Sequence, residues 1–305
     1  MTKKKNRHFL TIFDLTAKEI GVVIKRAIHL KAGKGAGKCP LIGKSIGLLF
    51  EKASTRTRVS LQVGIYQLGG QALYMNPKEI QIGRGETVSD TARVLSRYLD
   101  AIIIRTVSHR TLEEFTSYAS IPVINGLSDL HHPCQALADL MTIQEKKGSL
   151  GKIQFAYIGD GNNVANSLIE AASRTGMKLL LACPEGYEPD SVIYKMANEE
   201  ARSVISIVTN PEEAARNADV LYTDVWVSMG QEKETAKRIK QFKKYQLNAR
   251  LLSLAKHDAI VLHCMPAHRG EEITSEVMDG EQSVVFDQAE NRLHTQKALL
   301  EFLLT

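Results

Sequence analysis

The chain has 305 residues, 44% hydrophobic and 24% charged, with a formal net charge of +5. That length suits about two domains of ~150 residues, and the composition supports a sizeable core. No apolar run reaches the ~18 residues needed to cross a bilayer, while 6% aromatics, mixed charges and no nucleic-acid motif point to small anionic substrates rather than nucleic acid.

The basic opening, Met1 to Arg7, has no apolar h-region after it and is expected to be a solvated terminus rather than a secretory signal. Short apolar runs then alternate with helical patterns, the signature of an α/β chain with mainly parallel sheets flanked by helices. In the first half, strands are expected at 46–50, 72–74, 101–104 and 122–125, and helices at 16–32, 55–68, 87–99, 111–119 and 133–147. The segment 147–151 reads as a domain boundary, giving domains at 1–147 and 148–288. Strands follow at 153–158, 178–182, 204–208, 220–224 and 260–263. A final helix at about 289–305 is expected to pack back on the first domain. The four cysteines, Cys39, Cys134, Cys183 and Cys264, are scattered with no Cys-x-x-Cys pair. Neither a disulfide framework nor a metal site is expected, and the pattern fits a reducing cytoplasm.

Several stretches carry chemistry. Ser54-Thr55-Arg56-Thr57-Arg58 joins a strand to a helix, with Ser54 as N-cap. Free backbone N–H groups, the helix dipole, hydroxyls and Arg56 would converge there on a phosphate; an ordinary capped helix is the alternative. Arg105 leaves the end of a buried strand, where open α/β sheets bind ligands, or is a surface arginine. His132 precedes Pro133 at the start of a helix and could polarise a carbonyl there, with His131 and Gln135 beside it; a structural histidine is the alternative. Gly159-Asp160-Gly161-Asn162-Asn163 invites a dinucleotide reading with Glu185 as the ribose acid, but Val164 occupies the third glycine position. The asparagines suit a zwitterionic ligand better, because an amide both donates and accepts. Asp224 can bind an ammonium, and Ser228-Met229-Gly230 reads as a mobile loop with a glycine hinge. His263 and Cys264 end the last strand. Adjacent strand residues point to opposite faces, so Cys264 reads as a substrate contact rather than a nucleophile activated by His263.

Together these motifs resemble the ornithine carbamoyltransferases, within the aspartate/ornithine transcarbamylases. The resemblance runs in order through Phe50-Glu51-Lys52-x-Ser54-Thr55-Arg56-Thr57-Arg58, Asp90-Thr91-Ala92-Arg93-Val94-Leu95-Ser96 and Asn125-Gly126-Leu127-Ser128-Asp129. It continues through His132-Pro133-x-Gln135, Gly159-Asp160-Gly161-Asn162-Asn163, Asp224-x-Trp226-x-Ser228-Met229-Gly230-Gln231-Glu232, His263-Cys264-x-Pro266 and Ala289-Glu290-Asn291-Arg292. Met265 stands where leucine is usual. The resemblance implies two α/β domains with the active site in the cleft between them, no metal or organic cofactor, and a homotrimer or multiple of trimers. It implies transfer of the carbamoyl group from carbamoyl phosphate to the δ-amine of L-ornithine, giving citrulline in arginine metabolism. It assigns Ser54, Thr55, Arg56, Thr57, Arg105, His132, Gln135, Cys264, Met265 and Arg292 to carbamoyl phosphate. Gln81 would be lent by a neighbouring subunit. Asn163, Asp224, Ser228 and Met229 would hold ornithine, and Arg105, His132 and Cys264 would border the reacting atoms. A transcarbamylase for another amine, such as putrescine or N-acetylornithine, and a non-catalytic anion-binding regulatory module stay open as alternatives.

Overall fold

Strands β1 (Ser45–Phe50) and β3 (Ala101–Arg105) are apolar almost throughout, as a parallel sheet covered on both faces requires. They pair parallel at the centre of a sheet ordered β2-β1-β3-β4, with β2 (Gln71–Met75) and β4 (Val123–Leu127) at its edges. The computed structural model describes residues 7–34, 37–76, 85–200, 205–227 and 232–305. Helices α1 (Ala17–Lys31), α2 (Thr55–Gln67), α3 (Val88–Leu95), α4 (His109–Tyr118) and α5 (Pro133–Lys147) flank and connect these strands. Ile102, Ile104 and Val123 pack with Leu112 and Phe115 of α4 in one buried cluster. Each such side chain contributes about 1.5–3 kcal/mol by leaving water.

The second sheet has the order β7-β6-β5-β8-β9, again parallel in every pair. Its strands are β5 (Gln154–Ile158), β6 (Lys178–Ala182), β7 (Ile205–Val208), β8 (Val220–Thr223) and β9 (Ile260–His263). Helices α6 (Asn163–Thr175), α7 (Ser191–Glu200), α8 (Pro211–Ala215), α9 (Thr235–Phe242), α10 (Ala249–Leu252) and α11 (Ser275–Met278) accompany it, and α12 (Val285–Leu304) closes the chain. Tyr222 stacks against both Phe155 and Tyr157, with a ring centroid distance of 5.8 Å to each. The chain divides into two compact units, Met1–Leu137 with Asn291–Thr305, and Ala138–Glu290.

The α/β class with mainly parallel sheets is the one the alternating pattern predicts. Most element boundaries fall within two residues of expectation, and two differ by four. The helix expected over 87–99 ends at Leu95, because the next amides bond three residues back: Arg97 N–H to the Val94 carbonyl and Tyr98 N–H to that of Leu95. The last helix starts at Val285 rather than at residue 289. Residues just before it line up beside β9, with Val261 N–H on the Gln282 carbonyl and Val284 N–H on that of Val261.

Strand order locates the candidate sites. In the first sheet the chain leaves β1 toward β2 on one side, and β3 and β4 lie on the other. In the second, β6 and β7 lie on one side of β5, and β8 and β9 on the other. Ligands of open α/β sheets bind outside the carboxyl ends of strands at such switch points. The switch points here are β1/β3, ending at Phe50 and Arg105, and β5/β8, ending at Ile158 and Thr223.

Candidate active site

The first unit gathers its polar residues past β1 and β3. Ser54 caps α2, its Oγ accepting the Thr57 N–H at 3.3 Å and donating to Thr57 Oγ1 at 3.0 Å. Thr55 and Arg56 open the helix, where backbone N–H groups lack helical acceptors. Glu51 backs the site: its carboxylate accepts from Thr106 Oγ1 and Val107 N–H, each at 2.8 Å, while its own N–H donates to the Arg105 carbonyl. Arg292, from α12, donates through one terminal nitrogen to Thr57 Oγ1 at 2.6 Å and through the other to Gln135 Oε1. This guanidinium therefore joins α2, α5 and α12. Thr57 Oγ1 already accepts two hydrogen bonds, so its own proton is directed to a further acceptor.

Arg105, His132, Gln135 and Arg292 are buried. Burial, then Arg292, then Arg56 pull the Arg105 guanidinium down to about 10. Burial and the Arg292 and Arg105 charges hold His132 well below its ordinary 6.5, so it is a neutral imidazole. Three guanidiniums around one spot repel one another, and an anion of more than one charge relieves all of them. Burial also pushes the Cys134 thiol to about 12, which makes this cysteine inert packing rather than a nucleophile.

A turn built by other residues presents His132. Ser128 N–H donates to the His131 carbonyl at 2.9 Å, and Ser128 Oγ accepts the His131 N–H at 3.1 Å. His109 Nδ1 lies 2.9 Å from the same hydroxyl. Sequence reasoning named neither Ser128 nor His109 as a site residue. Burial pulls the His109 imidazole down as well, the nearby Glu113 and Asp129 acting against it.

The second unit carries the opposite charge. Asp224, just past β8, is buried, and its carboxylate is held from three sides. Asn162 Nδ2 donates to Oδ2 at 2.7 Å, while the Val225 N–H and the Cys264 thiol donate to Oδ1, each at 2.8 Å. Asn162 also caps α6, its Oδ1 accepting from Val164 and Ala165 N–H. Its one amide thus starts the helix and orients the acid, a role the sequence did not reveal. Asn163 is the first residue of α6. Burial and Asp224 push the Cys264 thiol well above its ordinary range. It stays protonated and is a poor nucleophile.

His263 and Cys264 part as neighbouring strand residues must. The His263 ring sits between Glu272 and the backbone, with Nε2 3.0 Å from Glu272 Oε1 and Nδ1 accepting the Met265 N–H at 2.9 Å. Met265 is held at φ +49°, a conformation few residues adopt. Asp224, His263 and Cys264 lie close enough to share a cation. They do not fit one as they stand: Nε2 of His263 faces Glu272 and its Nδ1 already accepts the Met265 N–H. Arg238 of α9 pairs with buried Asp160 at 3.0 Å and donates to the Trp226 carbonyl at 2.9 Å.

The two glycines of the candidate dinucleotide turn have local explanations. Gly159 takes φ +146°, and a Cβ on Gly161 would lie 2.2 Å from the Pro189 nitrogen. Gln81, Ser228 and Met229 lie outside the described residues.

Two parallel α/β sheets with buried polar clusters at their switch points place the chain among two-unit α/β enzymes. The family description "Aspartate/ornithine carbamoyltransferase, carbamoyl-P binding domain" matches residues 7–145, and "Asp/Orn binding domain" of the same family matches residues 151–303. An ornithine carbamoyltransferase of Syntrophus aciditrophicus is 56% identical over 300 residues, covering 98% of this chain and 99% of its own. The solved ornithine carbamoyltransferase of Pyrococcus furiosus is 49% identical with a TM-score of 0.94, covering 100% of this chain and 99% of its own. A solved anabolic ornithine carbamoyltransferase of Campylobacter jejuni is 40% identical with a TM-score of 0.93, covering 97% and 98%. The chain belongs to the aspartate/ornithine carbamoyltransferase family. Among the described residues, no helix is long and apolar enough to cross a membrane.

Proposed function

We propose that this chain transfers the carbamoyl group of carbamoyl phosphate to the δ-amine of L-ornithine, releasing phosphate and L-citrulline. The carrying observation is the contrast in charge: Arg56, Arg105 and Arg292 in one unit, Asp224 with Cys264 and Asn162 in the other. The arginines suit a phosphate. Ornithine keeps an α-ammonium to pair with Asp224 while its δ-amine reacts, whereas aspartate has only the reacting amine and would bring two carboxylates near that acid. Ser54, Thr55, Arg56 and Thr57 would take the phosphate at the N-terminus of α2. Arg105, neutral His132 and Thr57 would donate to the carbonyl oxygen as it becomes an oxyanion, and Gln135 would hold the carbamoyl nitrogen. Asp224, with Asn163, Ser228 and Met229, would orient ornithine, and Cys264, the Met265 carbonyl and Arg292 would border the reacting groups. Only the neutral δ-amine can attack, so much of the catalysis is orientation. The test is an acceptor panel with radiolabelled carbamoyl phosphate: ornithine, putrescine, N-acetylornithine and aspartate. Label appearing mainly in citrulline is expected. Preference for putrescine, N-acetylornithine or aspartate would refute the assignment, and no transfer to any acceptor would point to a binding module.

The same reading carries an assembly. Val59, Val63 and Tyr66 form an exposed apolar stripe on α2, at the i, i+4, i+7 spacing of one helix face. Beside it β2 is an edge strand with Leu73 exposed. Such a face marks an interaction surface, and we assign it to a homotrimer of this chain.

A further inference from the structure

We infer that His268, Glu271 and Glu272 form a site for one first-row divalent cation, of the zinc or cobalt kind, next to the His263-Cys264-Met265-Pro266 segment. The three residues offer one imidazole nitrogen and two carboxylate oxygens, all within 4.8 Å of one another. His268 Nδ1 lies 3.7 Å from Glu271 Oε2 and 4.0 Å from Glu272 Oε2. Those separations are too long for hydrogen bonds. They are within the ~4.2 Å that two metal bonds of ~2.1 Å can span.

A second observation comes from Glu272 itself. Its side chain is fully buried. Oε1 accepts from His263 Nε2 at 3.0 Å and from the His268 backbone N–H. Oε2 accepts no hydrogen bond among the described residues. A buried carboxylate oxygen without a donor costs desolvation energy that nothing returns, and this one faces the His268 ring. A cation between them would satisfy it without disturbing the bond from Oε1 to His263. The other two ligands are half-exposed, so an ion and its remaining waters can enter from solvent. One imidazole with two carboxylates favours zinc, cobalt or manganese over magnesium or calcium, which prefer all-oxygen sites. An ion held there would fix the carboxylate that orients His263, and through His263 the Met265 N–H.

The test uses the full, tag-free chain stripped of metal and titrated with Co²⁺, with Zn²⁺ affinity read by chelator competition. The expected result is one equivalent with visible bands of nitrogen and oxygen coordination and no thiolate charge-transfer band. His268→Ala and Glu271→Ala should each weaken Zn²⁺ binding by more than ~100-fold, beyond the ~10–100-fold that loss of an outer-shell contact costs, and Cys264→Ser should leave it unchanged. Both substituted positions are partly exposed, and unchanged urea midpoints in chelator would show the variants are folded. A thiolate band, or binding lost in Cys264→Ser, would move the metal to the Asp224, His263 and Cys264 group and overturn the inference. So would stoichiometric binding indifferent to His268→Ala, or no saturable binding at all.

Discussion

Arg56 stands in the first turn of α2 and helps depress Arg105, so its removal tests the phosphate site directly. Arg56→Ala should remove a charge-assisted phosphate contact in a sheltered site and lower kcat/KM by about 10²–10³-fold. Steady-state assays with carbamoyl phosphate measure this, and wild-type turnover would remove Arg56 from the phosphate site. Stability should depend on pH through His132. Its folded pKa is depressed below 6.5, so above that pH it makes no difference to stability. Below 6.5 the unfolded chain gains a proton that the folded chain refuses, and stability falls by up to ~1.4 kcal/mol per pH unit. His132→Gln lacks this loss. The stability advantage of wild type over the variant should therefore shrink between pH 7 and pH 5 in urea titrations, and a constant difference would show that His132 titrates normally. Cys264→Ser should keep substantial activity, since a thiol donating to Asp224 can be replaced by a hydroxyl. A trapped carbamoyl-cysteine adduct by mass spectrometry would instead make Cys264 a nucleophile.

At the scale of elements, the turn after β5 is the tightest constraint in the second unit. A Cβ on Gly161 would meet backbone, 2.2 Å from the Pro189 nitrogen and 2.3 Å from the Glu188 carbonyl carbon, which cannot rotate away. Gly161→Ala should cost roughly 1–3 kcal/mol or more, as overpacking does. Gly151→Ala, whose Cβ would be 3.6 Å from its nearest neighbour, should stay within about 0.5 kcal/mol. Urea midpoints of the pair check this, and equal effects would contradict the packing. The strands were legible because a buried parallel sheet writes itself as continuous apolar runs, and α2 because Ser54 is a cap with a helix pattern behind it. What escaped was pairing across distance. Two adjacent asparagines look alike in sequence, yet Asn162 both caps α6 and holds Asp224. Glu272 meets His263 across the turn after β9, His109 meets Ser128 from the start of α4, and Arg238 meets Asp160 from α9. Caps and periods are local signals, whereas these contacts exist only once the elements have packed.

At the scale of the whole molecule, the proposed trimer and the proposed site make a joint claim. If Gln81 of one copy serves the Arg56 of the next, the contact is head-to-tail and, where its rotation closes, forms a ring, which we propose to be one of three. Arg56→Ala and Gln81→Ala chains should each be severely impaired alone. Refolded together in equal amounts, they assort so that about a quarter of the sites pair an intact Arg56 with an intact Gln81 in a heterologous ring. Activity should therefore recover to roughly a quarter of wild type per site, well above either variant. Proven subunit exchange with no recovery would mean that each copy builds its site alone, whatever the oligomeric state. Recovery without a trimer by light scattering would keep the shared site but assign it to another closed ring.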